Sequence, residues 1–463
     1  MALVGAFLLV FLIFIRPQEF LPFLQGLSIV NVATGLALLG VFLDVGSGRV
    51  KSLYTPQIPF IVAFVLWCMV TLAAKVGVST IFDFREQLGF SVIFFLLIAY
   101  AVGSRFERFR VMAWLLVFIA VSLAAIGTHQ SMQPLECIVL EKDENGLTGD
   151  RSDGIPIGIN CDGARDCVKA TEDYRNDYVC EKPGLFKTFS IGTGRVRWRG
   201  LLADPNDLSL AIGTALSFAF AIHASAKNAF RHVFFACVAG LVFYCIIQTA
   251  SRGGVLIVLT VFATYFVRRY GPKGLLVGLI LAAPLLLLGG REGEEAESSA
   301  LERTGALYEG IDFFRQSPLF GLGYGQFTEH YFITAHNSYL LSAAELGFPG
   351  FFLWITLAYL AIKIPYKVST IPPHATDPRI IPYAFALMTS LAGMYVGIFF
   401  LTFCYNNILW VYFGLSGALY LIAKKATPGF EVKVSPKELG FVALGGAALL
   451  SAIFLYTRIK GAP

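Results

Sequence analysis

The chain has 463 residues, of which 56% are hydrophobic and 14% charged, with a formal net charge of +5. A soluble globular protein carries roughly 25% charged residues, so this composition excludes a soluble enzyme or soluble binding module. The positive balance requires no nucleic-acid partner, because basic loops on one side of a membrane produce it.

The apolar residues fall into runs of the length a helix needs to cross a bilayer. In lipid such runs must be helical, since each segment has to satisfy its own backbone polar groups. In chain order they lie at 2–15, 27–44, 57–74, 88–102, 109–128, 207–226, 230–249, 253–267, 274–290, 338–362, 381–403, 407–423 and 438–456. The prediction is an all-α polytopic membrane protein with about 12–13 transmembrane helices. The first run has no basic leader and is followed directly by Arg16-Pro17, so it reads as a retained span rather than a cleaved signal.

Basic residues gather in alternate loops. One set carries Arg49 and Lys51, Arg105, Arg108 and Arg110, Lys227 and Arg231, Arg268, Arg269 and Lys273, Lys363, Lys367 and Arg379, and Lys424, Lys425, Lys433 and Lys437. The other set is poorer, with Arg16, Lys75, Arg85 and Arg252 in its short loops. The positive-inside rule makes the first set cytoplasmic. The stretch 129–206, the turn at Arg252 and the loop 291–337 then face outward.

Cysteine usage agrees with that orientation. Cys137, Cys161, Cys167 and Cys180 lie in the polar loop 129–198, and an even set with irregular spacing predicts two disulfides in an oxidising compartment. The pairing stays open among the possible connectivities, and the spacing fits no common zinc pattern. The acidic runs Asp143-Glu144-Asn145-Gly146 and Asp150-Arg151-Ser152-Asp153-Gly154 lack the calcium-loop pattern and read as a solvated insert. The chain thus divides into spans 1–128, a disulfide-bearing outer insert 129–198, spans with arginine motifs 199–290, an outer loop 291–337, and spans 338–463.

Three polar constellations collect on the outer side. The first is Arg195-Val196-Arg197-Trp198-Arg199-Gly200 with Asp204-Pro205-Asn206-Asp207, and the second is Ser251-Arg252-Gly253-Gly254. The third runs from Arg303 through Pro318-Leu319-Phe320-Gly321-Leu322-Gly323-Tyr324-Gly325-Gln326-Phe327 to His336-Asn337-Ser338-Tyr339-Leu340 and Glu345-Leu346-Gly347-Phe348-Pro349-Gly350. Guanidinium groups fork onto phosphate oxygens, so Arg199, Arg252 and Arg303 point to a phosphate or diphosphate ligand. His336 precedes a span that Asn337 or Ser338 can cap, and a neutral imidazole there can accept a proton from a hydroxyl. The glycine run follows no strand and opens no βαβ unit, so it predicts a tight turn rather than a nucleotide loop. Acidic residues alternating with Leu301, Leu307, Ile311 and Phe314 predict an amphipathic helix over 297–316 that carries Arg303.

The third constellation resembles the signature of the O-antigen ligase and O-antigen polymerase superfamily. Arg199-Gly200 with Asp204-Pro205-Asn206, and Ser251-Arg252-Gly253, match the other two stretches of that family in order, and the resemblance covers about 195–425. It implies a GT-C-like fold with a large periplasmic loop, and a metal-independent, cofactor-free inverting glycosyltransferase of the bacterial inner membrane. The donor it implies is an undecaprenyl-diphosphate-linked glycan. His336 would act on the acceptor hydroxyl, Arg199, Arg252 and Arg303 would hold the diphosphate, and Asn206, Asn337 and Glu345 would support them. The first reading is an O-antigen ligase with lipid A–core as acceptor, and the second a polymerase with a glycan acceptor. A protein O-oligosaccharyltransferase is a third reading. A transporter fits less well, since few charges lie mid-span, and a structural scaffold would leave the outer arginines and histidine without a purpose. Two departures from the family pattern stand out: the large insert 129–198 and the extra apolar segment 438–456.

Overall fold

The computed structural model describes residues 1–49, 54–82, 88–140, 153–171, 177–192, 194–224, 228–271, 273–274 and 294–460. Its helices are α1 (Ala2–Ile15), α2 (Pro17–Phe20), α3 (Ile29–Gly46), α4 (Ile58–Lys75), α5 (Leu88–Gly103), α6 (Phe106–Ser131), α7 (Ala164–Thr171), α8 (Pro205–Ala224), α9 (Ala229–Gln248) and α10 (Arg252–Tyr270). They continue with α11 (Glu294–Gln316), α12 (Phe327–His330), α13 (Ser338–Ser369), α14 (Ile380–Gly397), α15 (Asn407–Ala426) and α16 (Pro436–Ile459). Among the described residues, 9 helices are long and apolar enough to cross a membrane, and α1 and α5 are shorter apolar helices. Helix α10 is apolar only between Arg252 and the basic pair Arg268-Arg269. Every predicted span is found as a helix except 274–290, of which all but the first residue lies outside the described residues. The chain is an all-α polytopic membrane protein with one small sheet.

The chain forms two compact units. The first comprises Met1–Ala6, Gly35–Met112 and Arg291–Pro463, and the second Phe7–Thr34 and Ala113–Gly290.

In the first unit α5 packs along α15, and α13 packs against α4, α14, α15, α11 and α16. Helix α13 is the centre of this unit and is broken at Gly347, which takes φ 64° and ψ −174°. The break has a covalent cause. Pro349 has no N–H to offer the Glu345 carbonyl four residues earlier, and the Phe348 N–H turns away to donate to the Pro318 carbonyl at 2.7 Å. The two carbonyls left open accept instead from the glycine-rich turn: Leu322 N–H donates to Ala344 O and Gly323 N–H to Glu345 O, each at 2.9 Å. A Cβ on Gly347 would overlap the Leu319 carbonyl, so only glycine lets the turn approach this closely. Gly321, Gly323 and Gly325 all have positive φ, as a tight turn requires.

The predicted amphipathic helix is α11, extending from Glu294 rather than 297. It buries Ala306 and Ile311 while Leu301 stays exposed. Ile311 joins Leu340, Ala343, Phe351, Leu450 and Ile453 in one apolar cluster, which ties α11 to both α13 and α16. Helix α16 opens with a capping box between Ser435 and Glu438. Glu438 also pairs with Lys363 of α13 and accepts from the Tyr359 hydroxyl at 2.7 Å.

In the second unit α8 packs against α9 and α10. The insert contributes a three-stranded antiparallel sheet of order β2-β1-β3, with β1 at Glu136–Leu140, β2 at Gly154–Asn160 and β3 at Tyr178–Glu181. Two disulfides are formed, as expected, and their pairing is Cys137–Cys167 and Cys161–Cys180. They join β1 to α7 and the end of β2 to β3. Leu135, Ile157, Ile159 and Tyr178 pack around them, so sulfur bridges stand where a larger domain would place an apolar core. The acidic runs at 143–146 and 150–152 lie outside the described residues.

Candidate active site

The histidine motif sits where the glycine turn meets α13. Asn337 caps the helix, its Oδ1 accepting the Leu340 N–H at 2.9 Å, while its Nδ2 is buried with no hydrogen-bond partner among the described residues. Ser338 ties the helix start to the segment after α14. Its N–H donates to Ile398 O at 3.0 Å, and its hydroxyl donates to Leu401 O at 2.6 Å and accepts from Phe403 N–H at 2.7 Å. These bonds force the preceding residue to turn sharply, and His336 takes φ 46°. The backbone that follows the histidine is therefore fixed.

Glu345, one helical stretch further along α13, is 2% exposed. Its carboxylate accepts Gly325 N–H at 3.1 Å, Phe327 N–H at 3.0 Å and the Tyr405 hydroxyl at 2.8 Å. A buried carboxylate without such donors would be costly, so Glu345 and the glycine turn are mutually required. Tyr324, on that turn, accepts the Leu88 N–H at 3.1 Å, and burial raises its hydroxyl far above the ordinary tyrosine range. Glu345 thus supports the turn that leads into α12 and then to His336, rather than touching His336 itself through these bonds.

His336 opens onto a cavity of about 590 Å³, inside the roughly 300–1,000 Å³ range of small-molecule sites. Arg303 of α11 lines the same cavity, with Leu307, Phe399, Ile453 and Tyr456 among its apolar walls. Two of the predicted residues, from segments far apart in sequence, therefore share one space. Ile453 and Tyr456 were not predicted for the site. They lie on α16, the segment that departs from the family pattern, and their plain apolar character gave no signal of a site role.

The other two arginines lie in the second unit. The segment before Arg199 is laid across the end of α9: Val196 N–H donates to Gln248 O at 3.2 Å and Arg195 Nε to Thr249 O at 2.9 Å. The chain then reverses through Ala250, at φ 48°, and Ser251 caps α10 by accepting the Gly254 N–H at 3.0 Å. Asn206 secures this corner. Its Oδ1 accepts the Ser251 hydroxyl at 2.6 Å and its Nδ2 donates to Asp204 Oδ1 at 2.7 Å. Arg252, the first residue of α10, is exposed beside the positive end of the helix dipole. Arg199 is placed differently. Its side chain is 1% exposed, pairs with Asp153 at 2.9 Å and donates to the Phe186 carbonyl. Phe20 and Trp198 cover it, with ring centres 5.2 and 5.4 Å from its guanidinium carbon.

No curated protein matches the chain. Residues 236–355 match the family profile described as O-antigen ligase. The matched stretch takes in Ser251-Arg252-Gly253, Arg303, the glycine turn, His336 and the Glu345-Leu346-Gly347 break, while Arg199 and Asn206 lie before it. Over this stretch, about a quarter of its length, the chain is similar to the O-antigen ligase family.

Proposed function

We propose that the protein is an inverting glycosyltransferase of the O-antigen ligase type. It moves a glycan from an undecaprenyl-diphosphate carrier to a hydroxyl of lipid A–core at the periplasmic face of the bacterial inner membrane. The observation that carries this reading is the cavity that His336 and Arg303 line together. A proton acceptor and a fixed cation in one partly apolar space suit attack by a hydroxyl on a sugar bearing an anionic leaving group.

In the reaction the acceptor oxygen forms a bond to the anomeric carbon and the bond from that carbon to the diphosphate breaks. The diphosphate leaves with the electron pair, and the acceptor proton passes to the His336 imidazole. Arg303 neutralises charge as it gathers on the leaving oxygens, where bidentate guanidinium contacts are strongest. In the second unit Arg252, and Arg199 where Asp153 gives way, are the candidate anion ligands. The disulfides of the insert support an oxidising compartment for this side of the chain.

The test is transfer in vitro with purified protein, lipid-linked glycan and lipid A–core, comparing wild type with His336→Ala and Arg252→Ala. Loss of the general base is expected to lower kcat by about 10²–10⁴-fold, with product on lipid A–core in the wild type. Lengthened lipid-linked chains without lipid A–core product would make the protein a polymerase instead. Full activity in His336→Ala would refute the site.

A further inference from the structure

In the second unit, Arg16-Pro17-Gln18-Glu19-Phe20 folds back over the Arg199-Gly200 pair. Phe20 covers the Arg199 guanidinium, as described, and packs on Phe186 with ring centres 4.4 Å apart. Arg16 covers Gly200: a Cβ at Gly200 would overlap the Arg16 guanidinium, and Gly200 has φ 57°. Glu19 holds the near edge of Arg16 through an Nε–carboxylate contact of 2.7 Å, and the Arg16 side chain stays 31% exposed.

The backbone here is strained to an unusual degree. Arg16 has φ 53° and ψ 51°, Phe186 φ 58° and Lys187 φ 64°, all left-handed without being glycine. Arg16 also precedes a proline, which disfavours helical backbone for the residue before it. Strain of this kind costs roughly 1–3 kcal/mol per residue and collects at ligand sites, where the surroundings over-determine it.

We propose that Arg16 is a phosphate-binding residue, and that Arg199 is its buried post. Arg199 holds Phe186 and Asp153 in place, Gly200 provides the flat seat, and Glu19 fixes Nε so that the outer guanidinium edge meets the ligand pre-oriented. The ligand class is a diphosphate or phosphate monoester, which matches a forked donor better than a carboxylate-free sugar does. Assignment of that diphosphate to the lipid carrier rests on the function proposed above.

Binding is measured on the purified full-length protein with undecaprenyl diphosphate, undecaprenol and inorganic pyrophosphate as probes. Arg16→Ala is expected to weaken both phosphorylated probes at least tenfold, to leave undecaprenol binding unchanged, and to raise KM for the glycan donor more than it lowers kcat. Arg16→Lys should restore part of the affinity. Gly200→Ala should reproduce Arg16→Ala by unseating the guanidinium, and the double variant should be no worse than either single one. Should Gly200→Ala fail to fold, the Arg16→Lys and Arg16→Ala pair decides. Unaltered pyrophosphate binding in a folded Arg16→Ala protein would overturn the inference while leaving the transferase reading intact. Pyrophosphate binding that depends on Arg16 in a protein without transfer activity would overturn the reading and leave this site standing.

Discussion

His336 takes a left-handed backbone that costs a non-glycine residue about 1–2 kcal/mol, and the structure spends two adjacent polar side chains to keep it there. Asn337 uses Oδ1 as a cap and keeps Nδ2 idle although buried. Asn337→Ser retains a capping oxygen and removes the idle donor, so thermal stability in detergent should change by no more than about 1 kcal/mol. A fall in transfer rate without a fall in stability would assign Nδ2 to the substrate, and equal loss of both would make it structural. Glu345 gives a sharper contrast. Glu345→Ala strands two backbone donors and a hydroxyl, each costing roughly 1–3 kcal/mol when buried, so the expected result is a protein that purifies poorly or melts far earlier. Glu345→Gln keeps an acceptor oxygen and should retain part of both stability and activity. The motif letters around His336 and Glu345 were legible in the sequence. The division of labour was not, because the partners of Glu345 come from positions 20 residues before it and 60 after it.

At the scale of elements, the span pattern was the easiest feature to read, since lipid allows a long apolar run only one backbone solution. The break in α13 was half legible: Pro349 announces a lost hydrogen bond, but the destination of the freed carbonyls depends on a turn more than twenty residues away. That coupling makes Gly347→Ala the telling substitution. The new methyl group meets the Leu319 carbonyl, and the backbone at φ 64°, ψ −174° is open essentially to glycine alone. A loss of roughly 1–3 kcal/mol or more is expected from the backbone strain, read as a lowered Tm, with transfer reduced in the protein that remains folded. Unchanged stability would mean that the glycine turn does not dock on the break. Arg199 marks the limit of sequence reading at this scale. An arginine beside a glycine at a span end looks like an anion ligand, and nothing local reveals that Asp153, 46 residues earlier, occupies it.

For the whole molecule, the insert depends on its bridges. The disulfides close separations of 30 and 19 residues, which in a chain-entropy account contributes about 3–4 kcal/mol each. Replacing Cys137 and Cys167 together by serine should unfold the sheet without disturbing the spans, so limited proteolysis should cut within 136–181 while the helical circular dichroism persists. Resistance to cleavage would show that the sheet holds through other contacts. The sequence revealed that four cysteines pair but not how, because connectivity depends on which residues the β1–β3 register brings face to face.

Helix α16 gives the cavity a place in time as well as in space. The α16 residues Ile453 and Tyr456, with Lys460 just beyond them, are synthesised after the Arg303, His336 and Phe399 walls of the cavity, and after the α11 and α13 surfaces that α16 covers. Until α16 is inserted, the apolar faces of α11 and α13 lack this partner and the cavity lacks its α16 wall. Competence therefore waits on the insertion of α16, and a chain truncated before residue 436 would retain the Arg303 and His336 walls while lacking the wall that α16 supplies.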